Sequence, residues 1–80
     1  MGIRQQRSEV SGDTVRIVLN GEERDIPKGT TVMGLLDLLE LPPRLLAVEV
    51  SGRVLSREEF EQVELKEGDV VEIVNFVGGG

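Results

Sequence analysis

The most regular pattern in the chain is an alternation of apolar and polar residues over residues 14–20, typical of a strand with one buried face. Its apolar side consists of Val15, Ile17 and Leu19. The dipeptide Asn20-Gly21 follows, and both residue types tolerate the positive φ angles of a type I′ turn. The pattern therefore predicts a β-hairpin whose second, more polar strand covers residues 22–26 near a sheet edge. That strand should end at Pro27, because proline cannot donate to a ladder.

The apolar spacing then changes to intervals of three and four residues, which predicts an amphipathic helix. The apolar stripe consists of Val32, Leu35, Leu36 and Leu39. Thr30 or Thr31 can cap this helix, and it should end by about Glu40, since the residue before Pro42 is disfavoured in the helical region. Gly34 lowers the helix propensity, and we interpret it as a point of close packing against a sheet.

Further extended stretches follow the helix. Residues 45–50 are almost all apolar, as in a central strand, and residues 53–55 continue after a turn. Ser56 and Glu59 have the spacing of a capping box, and residues 70–77 form the last strand. Three apolar residues before it are predicted to enter the core: Phe60, Val63 and Leu65. The order of elements predicts an α+β fold, with one main helix packed on one face of a mixed sheet of four or five strands.

Composition mainly excludes classes of chemistry. The 80-residue chain has no His and no Cys, which removes the commonest general base, thiolate metal sites and disulfides. We therefore expect no catalytic residue and no metal site. We also expect a cytoplasmic protein, because no apolar run could span a membrane and the N-terminus lacks the apolar core of a secretion signal. Residues 1–13 show no periodicity, so we expect a flexible leader before a single domain at residues 14–80.

The charge of the chain is acidic, with a formal net charge of −6. This argues against nucleic acid as a partner. Residues 58–72 contain seven acidic side chains and one basic one, Lys66. Such a run is either a solvated face or a surface that steers the protein toward a basic partner, and the run alone leaves both open.

The C-terminus is the strongest candidate for chemistry. Gly78, Gly79 and Gly80 directly follow the last predicted strand. Glycine triplets are common in flexible ends, but glycine also lacks a Cβ and can pass through a narrow channel. In the second interpretation the carboxylate of Gly80 is the reactive group. A free carboxylate is a poor electrophile, so an enzyme would have to activate it, for instance by adenylation.

Several motifs occur in a fixed order between Thr14 and Gly80. They are Leu19-Asn20-Gly21, Pro27-Lys28-Gly29-Thr30-Thr31, Leu35-Leu36, Ala47-Val48-Glu49-Val50-Ser51-Gly52, Leu65-Lys66-Glu67-Gly68-Asp69 and Glu72-Ile73-Val74-Asn75-Phe76-Val77-Gly78-Gly79-Gly80. Together they resemble the ThiS family, the sulfur carrier proteins of thiamin biosynthesis, which have a ubiquitin-like β-grasp fold. The leader before Thr14 departs from the family, whose members often begin at the first strand.

The resemblance implies a carrier that is acted on by partner enzymes and is not itself an enzyme. A ThiF-like adenylyltransferase would use ATP to form an acyl-adenylate at Gly80. A sulfur donor system of the cysteine desulfurase type would convert it to a thiocarboxylate, which would give its sulfur to a ThiG-like thiazole synthase. Gly78 and Gly79 would thread into the partner's active site, and Phe76 and Val77 would be docking contacts. No cofactor would be bound to the carrier.

The resemblance also gives the acidic run a role in docking on a basic partner face. The candidate residues are Glu67, Asp69 and Glu72. An exposed apolar patch on the outer side of the sheet, formed by Val18, Val74 and Phe76, is a further candidate. Neither a nucleic acid nor a membrane is an expected partner.

Other classes of function share parts of this pattern. MoaD-like subunits of molybdopterin synthase have the same fold and a diglycine end, but their last strand usually carries a stretch rich in Phe and Pro. The absence of proline from Val74-Asn75-Phe76-Val77 favours the thiamin carrier. A carrier for another sulfur metabolite such as cysteine, a ubiquitin-like modifier joined through Gly80 to lysine, and a β-grasp interaction module remain alternatives.

Overall fold

The computed structural model of the chain describes residues 13–75. Within that range, five strands and one α-helix form two layers. They are β1 (Thr14–Leu19), β2 (Glu22–Pro27), α1 (Val32–Leu38), β3 (Leu46–Val50), β4 (Arg53–Val54) and β5 (Val70–Asn75). Two 3₁₀ turns, Pro43–Leu45 and Arg57–Glu61, lie in the connections. The strand order is β2-β1-β5-β3-β4, with β1 and β5 parallel and the other neighbours antiparallel, which confirms the predicted mixed sheet.

The predicted hairpin is confirmed, and its turn has the expected backbone. Asn20 and Gly21 adopt φ angles of 50° and 87°. Strand β2 lies at an edge of the sheet and ends at Pro27, as predicted, where it pairs with Thr14. Ile26 is the one buried side chain of β2, so this edge is mostly polar.

Helix α1 buries Val32, Leu35 and Leu36 of the predicted stripe but is shorter than the pattern suggests, and Leu39 is its partly buried C-cap residue. The hydroxyl of Thr31 caps it by accepting a hydrogen bond from the Gly34 N–H at 3.1 Å. The helix ends at Leu38 because Glu40 adopts a φ of 59° and the chain turns away. The Leu41 N–H then donates to the Leu36 carbonyl at 2.9 Å, and the Glu40 N–H donates to the Asp37 carbonyl, which is the Schellman arrangement at a helix end.

The interpretation of Gly34 is wrong. A Cβ at this position would lie 3.3 Å from Cγ2 of Thr30 and 3.4 Å from Oγ1 of Thr31, with no sheet atom within 4 Å. The side chains of the helix cap therefore limit the space at Gly34, and the sheet does not.

The third predicted strand begins one residue later than expected. Leu45 belongs to the preceding 3₁₀ turn and is 49% exposed, because Pro42 and Pro43 direct the chain through that turn first. Strand β3 lies inside the sheet, while β5 is its middle strand. Of the last predicted strand, residues 76–77 lie outside the described range.

The core lies between α1 and one face of the sheet and contains no buried polar side chain among residues 13–75. Its buried members are Ile17, Leu19, Ile26, Val32, Leu35, Leu36, Leu46, Val48, Leu55, Phe60, Leu65, Val71 and Ile73. Phe60 and Leu65 enter it as predicted, and Val63 packs at its margin. No helix in the described part of the chain has the length and apolar character needed to cross a membrane.

Candidate functional site

The strand that leads to the predicted tail is the most enclosed strand of the sheet. Strand β5 pairs with β1 on one side and with β3 on the other, in a register that runs from Val50 opposite Val71 to Leu46 opposite Asn75. Val71 and Ile73 point into the core. The predicted tail residues themselves lie outside the described range: Phe76, Val77, Gly78, Gly79 and Gly80. The structure therefore shows which contacts fix β5, the strand that leads to the tail.

One side chain extends the pairing between β1 and β5. The Ile73 N–H donates to Oδ1 of Asn20 at 2.9 Å, and Nδ2 of Asn20 lies 3.4 Å from the Ile73 carbonyl oxygen. The Asn20 amide thus supplies an acceptor and a donor to β5 where the backbone of β1 has already turned away. Sequence reasoning assigned Asn20 to the turn alone, and no local signal indicates its second contact.

The sheet face opposite α1, here called the outer face, carries exposed valines. Val54, Val70 and Val74 are 68%, 44% and 59% exposed, whereas Val18 is half-buried beside Val70. The exposure of Val74 agrees with the predicted apolar patch, and Phe76, its third member, lies outside the described range. Isolated valines on a surface are ordinary, but three on one sheet face form a candidate contact surface.

The predicted acidic docking residues occupy two different environments. Oε1 of Glu67 accepts the Arg16 N–H at 2.9 Å, and Oδ2 of Asp69 accepts the Lys66 N–H at 2.8 Å, so both carboxylates hold the turn before β5. Glu72 is exposed on the outer face, directly opposite Glu49 of β3. The structure therefore separates Glu72 from the other two, and brings it beside an acidic residue that the sequence did not single out.

Two surface ion pairs shift carboxylate pKa values. Arg16 donates to Asp25 from Nε at 2.8 Å and from Nη2 at 3.3 Å, and this hydrogen bonding lowers the pKa of Asp25. The Ser56 N–H donates to Glu59 at 2.8 Å and lowers the pKa of Glu59, with a second contribution from Arg53 at 3.0 Å. Both pairs stabilise local structure at strand β1 and at the Arg57–Glu61 turn.

A small cleft of about 200 Å³ lies beside the C-terminal end of β5. Its walls include Leu19, Asn20, Leu41, Leu46, Ile73 and Asn75. A larger open cleft of about 490 Å³ lies against the turn before β5, and its lining includes the apolar Val15 and Leu65 and the basic Lys28 and Lys66. Within residues 13–75, no group of three acidic side chains is placed to hold a metal ion.

Comparison with known proteins identifies the family of the chain. A sequence model of the ThiS family matches residues 10–80. The sulfur carrier protein ThiS of Bacillus subtilis is 40% identical over 63 residues, which cover 78% of this chain and 96% of that protein. The crystal structure of the thiamine biosynthesis protein ThiS from Geobacter metallireducens superposes with a TM-score of 0.73 at 33% identity, covering 82% of this chain and all of that one. This likeness confirms the predicted β-grasp fold.

A thiazole synthase of Magnetococcus marinus is also similar, with 44% identity over 66 residues. These residues are 82% of this chain, but the chain spans only 20% of the length of that synthase. The matched part of that synthase thus corresponds to a carrier-sized unit. The family model matches nearly the whole chain, and the Bacillus subtilis relative and the superposed structure agree with it. The chain therefore belongs to the ThiS family.

Proposed function

We propose that the chain carries sulfur for thiamin biosynthesis on the carboxylate of Gly80. The observation that carries the proposal is the match to the ThiS family through residue 80, where three glycines follow the middle strand of the sheet. In the proposed cycle the Gly80 carboxylate attacks the α-phosphorus of ATP and releases pyrophosphate. A donor system of the desulfurase type supplies the sulfur as a persulfide, a thiol reductant releases it as sulfide, and the sulfide displaces AMP and leaves a thiocarboxylate.

The fold supports this role by anchoring the strand from which the tail continues. Val71 and Ile73 anchor β5 in the core, so the residues after Asn75 continue from a fixed strand. Glycine has no Cβ, so Gly78 and Gly79 fit a narrow channel in a partner. The adenylation and sulfur transfer are the work of partner enzymes in this proposal, and ATP binds to the adenylyltransferase.

The outer face is the proposed docking surface for the partners. Its apolar contacts would come from the exposed Val54, Val70 and Val74. Its negative charge would come from Glu49 and Glu72, which lie between these valines. A partner with an apolar patch and basic residues would complement this arrangement. Phe76 and Val77 are proposed to extend the contact toward the tail.

We propose a ThiF-like adenylyltransferase and a ThiG-like thiazole synthase as the partners. The second is supported by the Magnetococcus marinus thiazole synthase, which contains a segment similar to this chain within one polypeptide. Such a linkage holds donor and acceptor at high effective concentration, which suits two proteins that act in succession.

The proposal is tested by shortening the tail. We expect a variant without Gly79 and Gly80 to unfold at the same urea concentration as the full chain, yet to acquire no sulfur. The full chain and the variant are incubated with ATP, the adenylyltransferase of the same organism, cysteine, a cysteine desulfurase and a thiol reductant. Intact-mass spectrometry then reports the replacement of one oxygen by one sulfur.

A matched control removes two residues, Gly2 and Ile3, from the other end, and this variant is expected to load normally. A shortened tail that still acquires sulfur would contradict the proposal. A conjugate to lysine in place of the thiocarboxylate would indicate a protein modifier.

A further inference from the structure

We propose that Asn20 is a positioning residue that sets the direction in which β5 delivers the tail to the adenylating partner. The inference rests on the proposed function, since it concerns the presentation of Gly80. It is carried by the contact between the Asn20 amide and the backbone of Ile73, two residues before the last described residue of β5.

The contact occupies the next step of a regular ladder. The Val18 N–H donates to the Asp69 carbonyl at 2.9 Å, and the Asn20 N–H donates to the Val71 carbonyl at 2.9 Å. The residue of β5 that next faces β1 is Ile73, and at that level Asn20 has entered the turn with a φ of 50°. Its side-chain amide then provides the acceptor and the donor that a further residue of β1 would have provided.

Within residues 13–75, this contact provides the last hydrogen bonds between the first hairpin and β5. On the opposite side, pairing with β3 continues to Leu46 opposite Asn75, just after the 3₁₀ turn Pro43–Leu45. Loss of the Asn20 contact therefore frees the end of β5 on one side only, and lets it pivot about its pairing with β3. The tail would then point in a wider range of directions from the same folded body.

When the tail samples a wider range of directions, a smaller fraction of the molecules presents it in the direction that the partner can bind. The apparent affinity of the partner falls by the same fraction, whereas the chemistry in the assembled complex is unchanged. The kinetic signature is therefore a higher KM for the carrier at an unchanged kcat. A contact that served only stability would leave KM unchanged as long as the carrier stays folded.

The turn and the contact can be separated by substitution at one position. Asn20→Gly keeps the positive φ that the turn requires and removes the whole amide. Asn20→Asp keeps an oxygen that can accept the Ile73 N–H and removes the donor. Ser51→Gly is the matched control, because Ser51 has a φ of 48° in the second hairpin turn and its hydroxyl contacts the Val70 N–H at the opposite end of β5.

The test combines a structural and a kinetic measurement on the full chain. Hydrogen exchange monitored by NMR shows whether the Ile73 amide loses protection in Asn20→Gly and keeps it in Asn20→Asp. Pyrophosphate–ATP exchange with the adenylyltransferase of the same organism gives KM and kcat for each carrier. We expect KM to rise about fivefold in Asn20→Gly, and less in Asn20→Asp, with kcat and the Ser51→Gly control close to the wild type.

The possible failures are distinguishable. A normal KM in an Asn20→Gly carrier whose Ile73 amide has lost protection would overturn the positioning role and leave the proposed function intact. An equal rise in KM for Asn20→Gly and Ser51→Gly would also overturn it, since hairpin stability would then be the cause. A wild-type chain that supports no exchange would overturn the proposed function. If Asn20→Gly fails to fold, Asn20→Asp decides, because it lacks only the donor to the Ile73 carbonyl: a KM equal to that of the wild type would then overturn the positioning role.

Discussion

Asn20 meets two requirements that belong to different parts of the chain. Its backbone forms the turn of the first hairpin, which the Asn-Gly dipeptide predicts. Its side chain binds Ile73, 53 residues further along. The first role depends on the neighbouring residue and could be predicted, whereas the second depends on β5 lying parallel to β1. A single residue thus links the local geometry of a turn to the strand that bears the tail.

Glu59 provides a prediction for the response to acid. The Ser56 N–H and Arg53 bind its ionised form and lower its pKa below the ordinary value of 4.5. A group with a lowered pKa adds stability above its unfolded pKa and loses that contribution as the pH falls through its folded value. Glu59→Gln should therefore be less stable than the wild type at neutral pH, and the difference should shrink as the pH falls below 4.5 and through the lowered pKa of Glu59.

Urea unfolding at a series of pH values measures this difference. Glu58→Gln is the control, because the Glu58 side chain takes no part in the contacts with Ser56 and Arg53. A gap between Glu59→Gln and the wild type that stays constant from neutral to acidic pH would contradict the role of ionised Glu59.

Helix α1 depends for its stability on packing against the rest of the fold. With seven residues it is too short to persist alone in water, so the burial of Val32, Leu35 and Leu36 must hold it. Its stripe is predictable from spacing, and the sequence limits its cap to Thr30 or Thr31, of which the structure selects Thr31. Its end was placed within two residues because of Pro42, but the actual stop uses Glu40 at a positive φ. A glutamate in the sequence does not indicate a positive φ, which glycine or asparagine usually adopts at the end of a helix.

The burial of the stripe predicts a large loss of stability for one truncation. Leu36→Ala should lower the free energy of unfolding by about 2–5 kcal/mol, because Leu36 is fully buried and its removal leaves a cavity. Leu38→Ala is the matched control on the same helix, since Leu38 is 59% exposed, and should change the free energy by less than about 0.5 kcal/mol. Urea unfolding compares the two, and equal losses would show that the assignment of the buried face is wrong.

Across the whole molecule, the outer face combines features that favour binding over stability. Exposed valines surround Glu49 and Glu72, whose like charges lie directly opposite each other on adjacent strands. Such pairs are unfavourable in the free protein. A basic partner would relieve the repulsion, so the same pair that costs stability in isolation would favour association.

This trade-off can be measured with Glu72→Gln. We expect the substitution to raise the free energy of unfolding by about 0.5 kcal/mol, because it removes the repulsion with Glu49. The same substitution should slow association with the adenylyltransferase at low salt and make the association rate less sensitive to salt. Urea unfolding and stopped-flow binding at two salt concentrations provide the two measurements.

A double-mutant cycle provides the control. In a Glu49→Gln background the gain in stability from Glu72→Gln should disappear, because the opposing charge is already absent. A gain of the same size in both backgrounds would show that repulsion between the two carboxylates is not its source.

The two hairpin turns, the helix stripe with its cap, and the Ser56–Glu59 box follow from residues only a few positions apart, so the amino-acid sequence by itself determines them. The order of the strands, the parallel contact of β1 with β5, the amide bridge from Asn20 to Ile73 and the meeting of Glu49 with Glu72 are different in kind. Each joins segments that are far apart in the chain, and alternation shows which face of a strand is buried but not which strand lies beside it. Packing of the helix over the sheet selects those neighbours, and with them the surroundings of the strand that leads to Gly80.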